Sequence, residues 1–315
     1  MAEFDLIARI RQRVATRDDV VLGIGDDAAV LRAPAGRELV VAMDTLNAGV
    51  HFPAETAPAD IGWKALAVNL SDLAAMAAEP AWCTLSLSLP QADQAWLDAF
   101  LDGFLGLAAL HGVALVGGDT TRGPLSVCVT VHGLVEPGRA LRRDGAQVGD
   151  TVWVSGTLGD AAGALAQWRE GAAMDGFLRE RLNRPTPRLA LLPALRLAHA
   201  GIDVSDGLLA DLGHVCAASG AGALVEVDAL PASDALRANF DAETRRRLQA
   251  AGGDDYELCF TAPDAAREAI LREAADAGVA VTAIGRVVEG EGVRAGRADG
   301  SPWQSTRDGY DHFRT

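Results

Sequence analysis

The chain has 315 residues, 49% of them hydrophobic, which is enough to bury a full core and to divide into two domains of ordinary size. A formal net charge of -15 with no basic run argues against nucleic acid or an anionic membrane surface as a partner. Lys64 is the only lysine, so there is neither a G-x-x-x-x-G-K-[ST] phosphate loop nor a strand lysine of the protein-kinase kind, and any handling of ATP falls to metals and arginines.

The N-terminal stretch MAEFDLIARIRQRV predicts an amphipathic helix over residues 3–15, with early acids rather than the basic start of a signal peptide. Val20 to Gly25 then runs into Asp26-Asp27, where one carboxylate can cap the turn and the other, Asp27, can face a site. Leu39–Met43 reads as a short buried strand with Asp44 directly after it. His51 follows in a loop, as a substrate contact or as an ordinary hydrogen-bonding histidine. Asp60 is expected to cap a central helix, KALAVNLSDLAAMAAEP, that Pro80 ends. That helix is apolar all round except at Asp72. An unpaired charge there is costly, so Asp72 either meets a cation such as a metal ion or sits at the rim and caps a loop.

Trp82–Leu89 predicts a strand, and Asp93 caps a helix that runs to about Leu110 and stops at His111-Gly112. Val113–Val116 reads as a buried strand opening into the loop Gly117-Gly118-Asp119-Thr120-Thr121-Arg122-Gly123-Pro124. There Gly117 and Gly118 free the backbone to approach a phosphate, Asp119 can hold a metal, the threonines offer hydroxyls and Arg122 offers a phosphate fork; the alternative is a plain turn before the strand Ser126–Val135. The segment from Val135 to Gly149, with Arg139, Arg142 and Arg143, marks a junction between domains 1–146 and 147–315.

In the second half, Thr151–Gly156 reads as a strand, Gly159-Asp160 opens a helix, and Arg184-Pro-Thr-Pro187 breaks the chain before a helix to Ala200. Ile202-Asp203-Val204-Ser205-Asp206-Gly207 is a strand feeding a helix through Leu212 and His214, whose start can hold an anion or can be closed by ordinary caps. A strand at Ala223–Val227, a helix at Ala242–Ala251 and the acidic turn Gly252-Gly253-Asp254-Asp255-Tyr256-Glu257 lead into the strand Leu258–Thr261. The tail ends in Gly309-Tyr310-Asp311-His312-Phe313, an aromatic cluster that seals a core or covers a ring ligand. Strands interleaved with helices in both halves predict an α/β protein of two units. Cys83, Cys128, Cys216 and Cys259 lie scattered in apolar contexts, and no run reaches transmembrane length, so a reducing, cytoplasmic setting is expected.

Aspartates thus recur where strands are expected to end, which suggests one shared multi-metal phosphate site; solubility alone accounts for the acidic balance equally well. The ordered set GIGDDAAVL, MDTLNAGVHF, KALAVNLSDLAAM, GGDTTRGP, DVSDGLLADLGH and GGDDYELCF is more specific than any of its pieces. Together these motifs resemble the bacterial thiamine-monophosphate kinases of the aminoimidazole ribonucleotide synthetase superfamily, nearly end to end. The resemblance implies two α/β domains, the N-terminal one pairing with its twin across a homodimer, and ATP bound near the domain junction and the dimer interface. It implies ATP-dependent phosphorylation of thiamine monophosphate to thiamine diphosphate with several Mg2+ ions. Carried over by position, Asp27, Asp44, Asp72, Asp119, Asp203 and Asp206 would be metal ligands. Gly118, Asp119, Arg143 and Ser205 would bind ATP, and His51, Asp254 and Tyr310 the thiamine portion.

Two departures stand out. Ala42 and Met43 replace hydroxyl residues usual before Asp44, leaving only backbone carbonyls there, and Asp254 replaces a common Glu with a shorter reach. No covalent nucleophile or general base is expected, because the attacking phosphate is already ionised. The rival readings are a related ATP-dependent synthetase, a metal-dependent phosphohydrolase and a noncatalytic nucleotide sensor.

Overall fold

A computed structural model describes residues 3–305 and Gly309. The chain forms two units: one holds the residues through Leu73 together with Ala78–Gly138, and the other holds Ala74–Ala77 and the residues from Arg139 onward. Both are mixed α/β, as the strand and helix pattern predicts.

The first unit contains α1 (Glu3–Arg13), β1 (Val20–Leu22), β2 (Val30–Leu31), β3 (Glu38–Asn47), α2 (Pro58–Ala75), β4 (Glu79–Leu89), α3 (Gln94–Leu110), β5 (Ala114–Arg122) and β6 (Ser126–Val135). β1 and β2 form a small antiparallel ribbon. The main sheet has the order β3-β6-β4-β5, antiparallel except for the parallel pair β4 and β5. α3 starts at Asp93, whose side chain accepts from the Trp96 amide, as its sequence predicts. α2 and α3 meet backbone to backbone: a Cβ at Gly62 would overlap the Phe100 carbonyl, and one at Gly103 the Ala59 carbonyl. Arg9 of α1 grips Asp98 of α3 at 2.5 and 2.6 Å.

Four expectations need correction here. Asp60 lies inside the first turn of α2 rather than capping it, because the helix already begins at Pro58, whose fixed φ suits that position. α2 ends before Pro80: Ala77 adopts φ 54°, the Ala78 amide donates to the Leu73 carbonyl at 2.8 Å, and β4 is under way at Glu79. β3 is an edge strand with Leu39, Val41 and Met43 exposed at 53%, 54% and 61%, so its apolar run is not buried in the chain, and Asp44 lies within it. β5 continues through Gly117-Gly118-Asp119-Thr120-Thr121-Arg122, because pairing with β4 persists to Leu89 and Arg122; the glycine-rich segment is strand, not loop.

The second unit contains β7 (Thr151–Ser155), α4 (Asp160–Arg169), α5 (Gly176–Asn183), α6 (Leu192–Leu195), β8 (Ala200–Val204), α7 (Leu208–Ser219), β9 (Gly222–Glu226), α8 (Asp234–Asn239), α9 (Ala242–Ala251), β10 (Glu257–Ala262), α10 (Arg267–Asp276), β11 (Val281–Val288), β12 (Gly292–Gly296) and β13 (Pro302–Trp303). Its sheet order is β13-β12-β9-β11-β7-β10-β8, antiparallel except between β9 and β12. Alternation along the strands divides the core in two. Val152, Val154, Ile202 and Val204 pack with Leu208 and Leu212 of α7, whereas Trp153, Leu258 and Phe260 pack with Ile270 of α10 and Leu195 of α6. The helix expected to reach Ala200 is only the single turn α6 after a 3-10 turn, since β8 begins at Ala200. Cys83, Cys216 and Cys259 are buried, Cys128 is half-buried, and all four are free. Among the described residues no helix is long and apolar enough to cross a membrane.

Candidate functional site

In the first unit, the Asp27 amide donates to Asp26 Oδ1 at 2.8 Å, so Asp26 closes the turn and Asp27 is exposed. Asp44 is half-buried on β3, and its amide donates to Asn69 Oδ1 of α2 at 2.9 Å. Asn69 is fully buried and anchors its own Nδ2 on the Ala65 carbonyl at 2.9 Å. Asp72, half-buried, lies three residues further along α2, on the same side of the helix as Asn69. The helix therefore brings Asp72 towards the strand position of Asp44. Asn69 is a neighbour of Asp44 that sequence reasoning passed over; its signal was a second polar residue in an otherwise apolar helix.

Asp119 is not part of that grouping. The register runs Thr45 to Cys128 to Ser86 to Asp119, whereas Asp44 pairs with Val129 and Val129 with Leu85. Cross-paired residues share a face, so Asp44 stands with buried Val129 and Leu85 on the helix-covered side, and exposed Asp119 stands with Ser86 on the other. Three strand spacings, roughly 14 Å, separate the two edges. Gly118 has φ 149° and presses its α-carbon against the Leu85 carbonyl, where no side chain fits. Close strand pairing alone therefore accounts for that glycine.

His51 is half-buried, and its Nδ1 accepts from the Asn47 amide at 2.9 Å. The neutral ring therefore carries its proton on Nε2. The buried Lys64 ammonium donates to the His51 carbonyl at 3.2 Å and fixes the loop.

In the second unit, Asp203 is buried at the end of β8, and half-buried Ser205 and Asp206 form the turn into α7. Asp211, in the first turn of α7, reaches back so that its Oδ2 accepts from the amides of Ser205, Asp206 and Gly207 at 3.1, 3.1 and 3.0 Å. Burial first, then repulsion from Asp203 and Asp206, pushes the Asp211 carboxyl up to about 7. Asp211 was missed because a first-turn acid reads as a helix cap. Arg143 is exposed beside Arg142, which is engaged by Asp144 at 2.9 and 2.5 Å.

Asp254 and Tyr256 both take positive φ, 69° and 49°, a conformation that costs on the order of 1–3 kcal/mol per residue outside glycine. The Tyr256 hydroxyl donates to Asp254 Oδ1 at 3.3 Å. Tyr310 lies outside the described residues.

Among the described residues, no three His, Cys, Asp or Glu side chains already stand together as a metal-binding group. The donor chemistry nevertheless fits a hard divalent cation, because every candidate ligand is a carboxylate. The repulsion that Asp203 and Asp206 exert on Asp211 marks a concentration of negative charge that such a cation would relieve.

Comparison with known proteins places the chain in a family. Residues 25–135 match the AIR synthase related protein N-terminal domain and residues 147–297 its C-terminal domain, so the chain is a two-domain protein of that class. Thiamine-monophosphate kinase from Salmonella typhimurium is 49% identical over 99% of this chain and 98% of its own length. The crystal structure of thiamine-monophosphate kinase from Stenotrophomonas maltophilia K279a superposes with a TM-score of 0.88 at 56% identity, covering 96% of this chain and 98% of that one. The structure of AaThiL complexed with AMPPCP and TMP superposes with a TM-score of 0.78 at 31% identity, over 98% of this chain and 96% of that one. The chain belongs to the thiamine-monophosphate kinase family.

Proposed function

We infer that this chain transfers the γ-phosphoryl group of ATP to thiamine monophosphate, releasing thiamine diphosphate and ADP. The observation that carries this reading is a relative of the same fold, 31% identical over 98% of this chain, in complex with AMPPCP and TMP. An oxygen of the acceptor phosphate forms a bond to the γ-phosphorus as the bond to the bridging oxygen of ADP breaks, in line. The acceptor oxygen is already ionised, so neither a protein nucleophile nor a general base takes part.

Asp27, Asp44 and Asp72 of the first unit, Asp119 on the opposite face of its sheet, and Asp203 and Asp206 of the second unit would hold Mg2+ ions. Bound magnesium would neutralise and align phosphate oxygens that otherwise repel. Gly118, Asp119, Arg143 and Ser205 receive ATP in this reading. Arg143 supplies a guanidinium for phosphate charge, and Asp211 fixes the turn at Ser205 by taking the amides of Ser205, Asp206 and Gly207, which leaves the Ser205 side chain for the nucleotide. His51 offers Nε2–H, and Asp254 and Tyr310 complete the thiamine contacts. Residues 1–146 carry most of the metal and ATP ligands as well as the dimer face, and residues 147–315 complete the site.

The homodimer is supported by the sheet face that carries exposed Leu39, Val41 and Met43 along the edge strand β3. Edge strands of that kind are otherwise protected in monomers. A cytoplasmic location is supported by the four free cysteines and by the demand for ATP.

Phosphorus NMR of the purified protein with thiamine monophosphate, ATP and magnesium, against controls lacking each, tests the reaction. Thiamine diphosphate and ADP signals growing together are expected. ATP decaying only to ADP and free phosphate, or no change, would overturn the assignment of substrate.

A further inference from the structure

The turn 252–256 is strained at Asp254 and Tyr256, and such residues persist only where their surroundings over-determine them. Two sets of anchors do so. From above, the Asp254 amide donates to the Ser205 carbonyl at 2.8 Å and the Tyr256 amide to the Val204 carbonyl at 2.9 Å. From below, the segment ends in Glu257, whose side chain is fully buried and held by three separate elements. Arg188 grips it with Nε at 2.6 Å and with a second bond from Nη2, Arg181 Nη2 donates at 2.7 Å, and Ser155 Oγ at 2.5 Å. Arg181 also donates to the Asp255 carbonyl at 3.3 Å, and the Gly159 amide to Asp255 Oδ2 at 2.7 Å.

Two arginines converging on one buried carboxylate are costly to dehydrate, and well-packed apolar residues stabilise a core as well or better. What the cluster supplies is fixed geometry, through the planar fork of Arg188 on both carboxylate oxygens. Pro185 and Pro187 stiffen the segment that delivers that fork. Glu257 is covalently next to Tyr256, so its position sets where the left-handed turn ends.

We propose that Arg188 and Glu257 are positioning residues for the acceptor substrate, holding the 254–256 turn so that Asp254 meets the thiamine portion. This rests on the reading of Asp254 as a substrate contact. The neighbouring turn at Ser205–Gly207 has its own anchor in the three amides bound by Asp211. Loss of the Glu257 cluster therefore acts first on the acceptor substrate, because it reaches the Ser205 turn only through the Asp254 and Tyr256 amide bonds while Asp211 still holds that turn.

The test is steady-state kinetics of full-length Arg188→Met with each substrate varied in turn. The KM for thiamine monophosphate is expected to rise roughly tenfold or more, the scale on which misplacement of a contact group acts, while the KM for ATP stays within about twofold. Arg188→Lys, which keeps the charge and loses the fork, is expected to show the same split. If Arg188→Met fails to fold, the nearly isosteric Glu257→Gln carries the measurement. An unchanged KM for thiamine monophosphate, or an equal rise for both substrates, overturns the proposal. Asp254→Asn separates the two levels. If it leaves the KM for thiamine monophosphate unchanged, the substrate contact itself falls and the proposal with it. If it raises that KM while Arg188→Met does not, only the positioning role falls.

Discussion

Asp72 is half-buried in a helix whose remaining faces are closed by Leu66, Leu70, Leu73 and Ala74, and it lies one turn beyond the asparagine that fixes Asp44. Asp72→Asn preserves shape and removes charge. The expected outcome is an unchanged circular dichroism spectrum with thiamine diphosphate formation reduced on the order of 100-fold; wild-type turnover would remove Asp72 from the metal set. Asp255 has the opposite character. It is 1% exposed, its Oδ1 has no hydrogen-bond partner among the described residues, and burial pushes its carboxyl well above the ordinary range despite the nearby Arg181. A carboxyl raised on folding contributes stability that is fully present below its unfolded value and is lost as pH rises through its folded value. The contribution of Asp255 to stability should therefore decline as pH climbs above the ordinary carboxylate range. Asp255→Asn should flatten that decline in urea titrations across the range, adding about 1–3 kcal/mol at neutral pH. Asp72 was legible in the sequence by contrast with its neighbours. Glu257 was not: Arg188 and Arg181 stand 69 and 76 residues before it, and only the fold brings them together.

Element boundaries followed the sequence wherever a local signal set them. α3 begins at its Asp93 cap, β6 spans Ser126–Val135, and α9 starts after Asp241, whose side chain accepts from the Glu243 and Thr244 amides. They departed from it where a neighbour set them. β5 absorbs a stretch that reads as a loop because β4 supplies a partner at each step. β3 runs past Asp44 because β6 pairs with it from Glu38 to Asn47. The link between α2 and β3 is itself testable. Asn69→Leu fills a similar volume but leaves the Asp44 amide without its acceptor, and should cost about 1–3 kcal/mol of stability by urea denaturation. Activity should fall further than that loss of folded protein accounts for, since Asp44 loses its registration against Asp72. A variant matching wild type in both respects would show that the bond is incidental.

At the scale of the molecule, the sheet of the first unit carries helices on one face and, on the other, the row of Leu39, Val41 and Met43 with Asp119 at the far edge. Val41→Glu places a charge in that row without touching either core. Sedimentation equilibrium is expected to show a dimer for the wild type and a monomer for Val41→Glu, with kinase activity lost alongside. A wild-type monomer with full activity would end the dimer assignment. The sequence by itself determined the two-unit α/β organisation, the family and the carboxylates on offer, because apolar periodicity, caps and an ordered series of motifs are local in the chain. Only the tertiary structure decided that Asp44 and Asp72 share one side of the first sheet, that Asp119 stands on the other, and that buried Arg181 and half-buried Arg188 converge on Glu257 beside the Asp254 turn. Those facts depend on strand register and on contacts between residues far apart in the chain, which no local pattern of residues encodes.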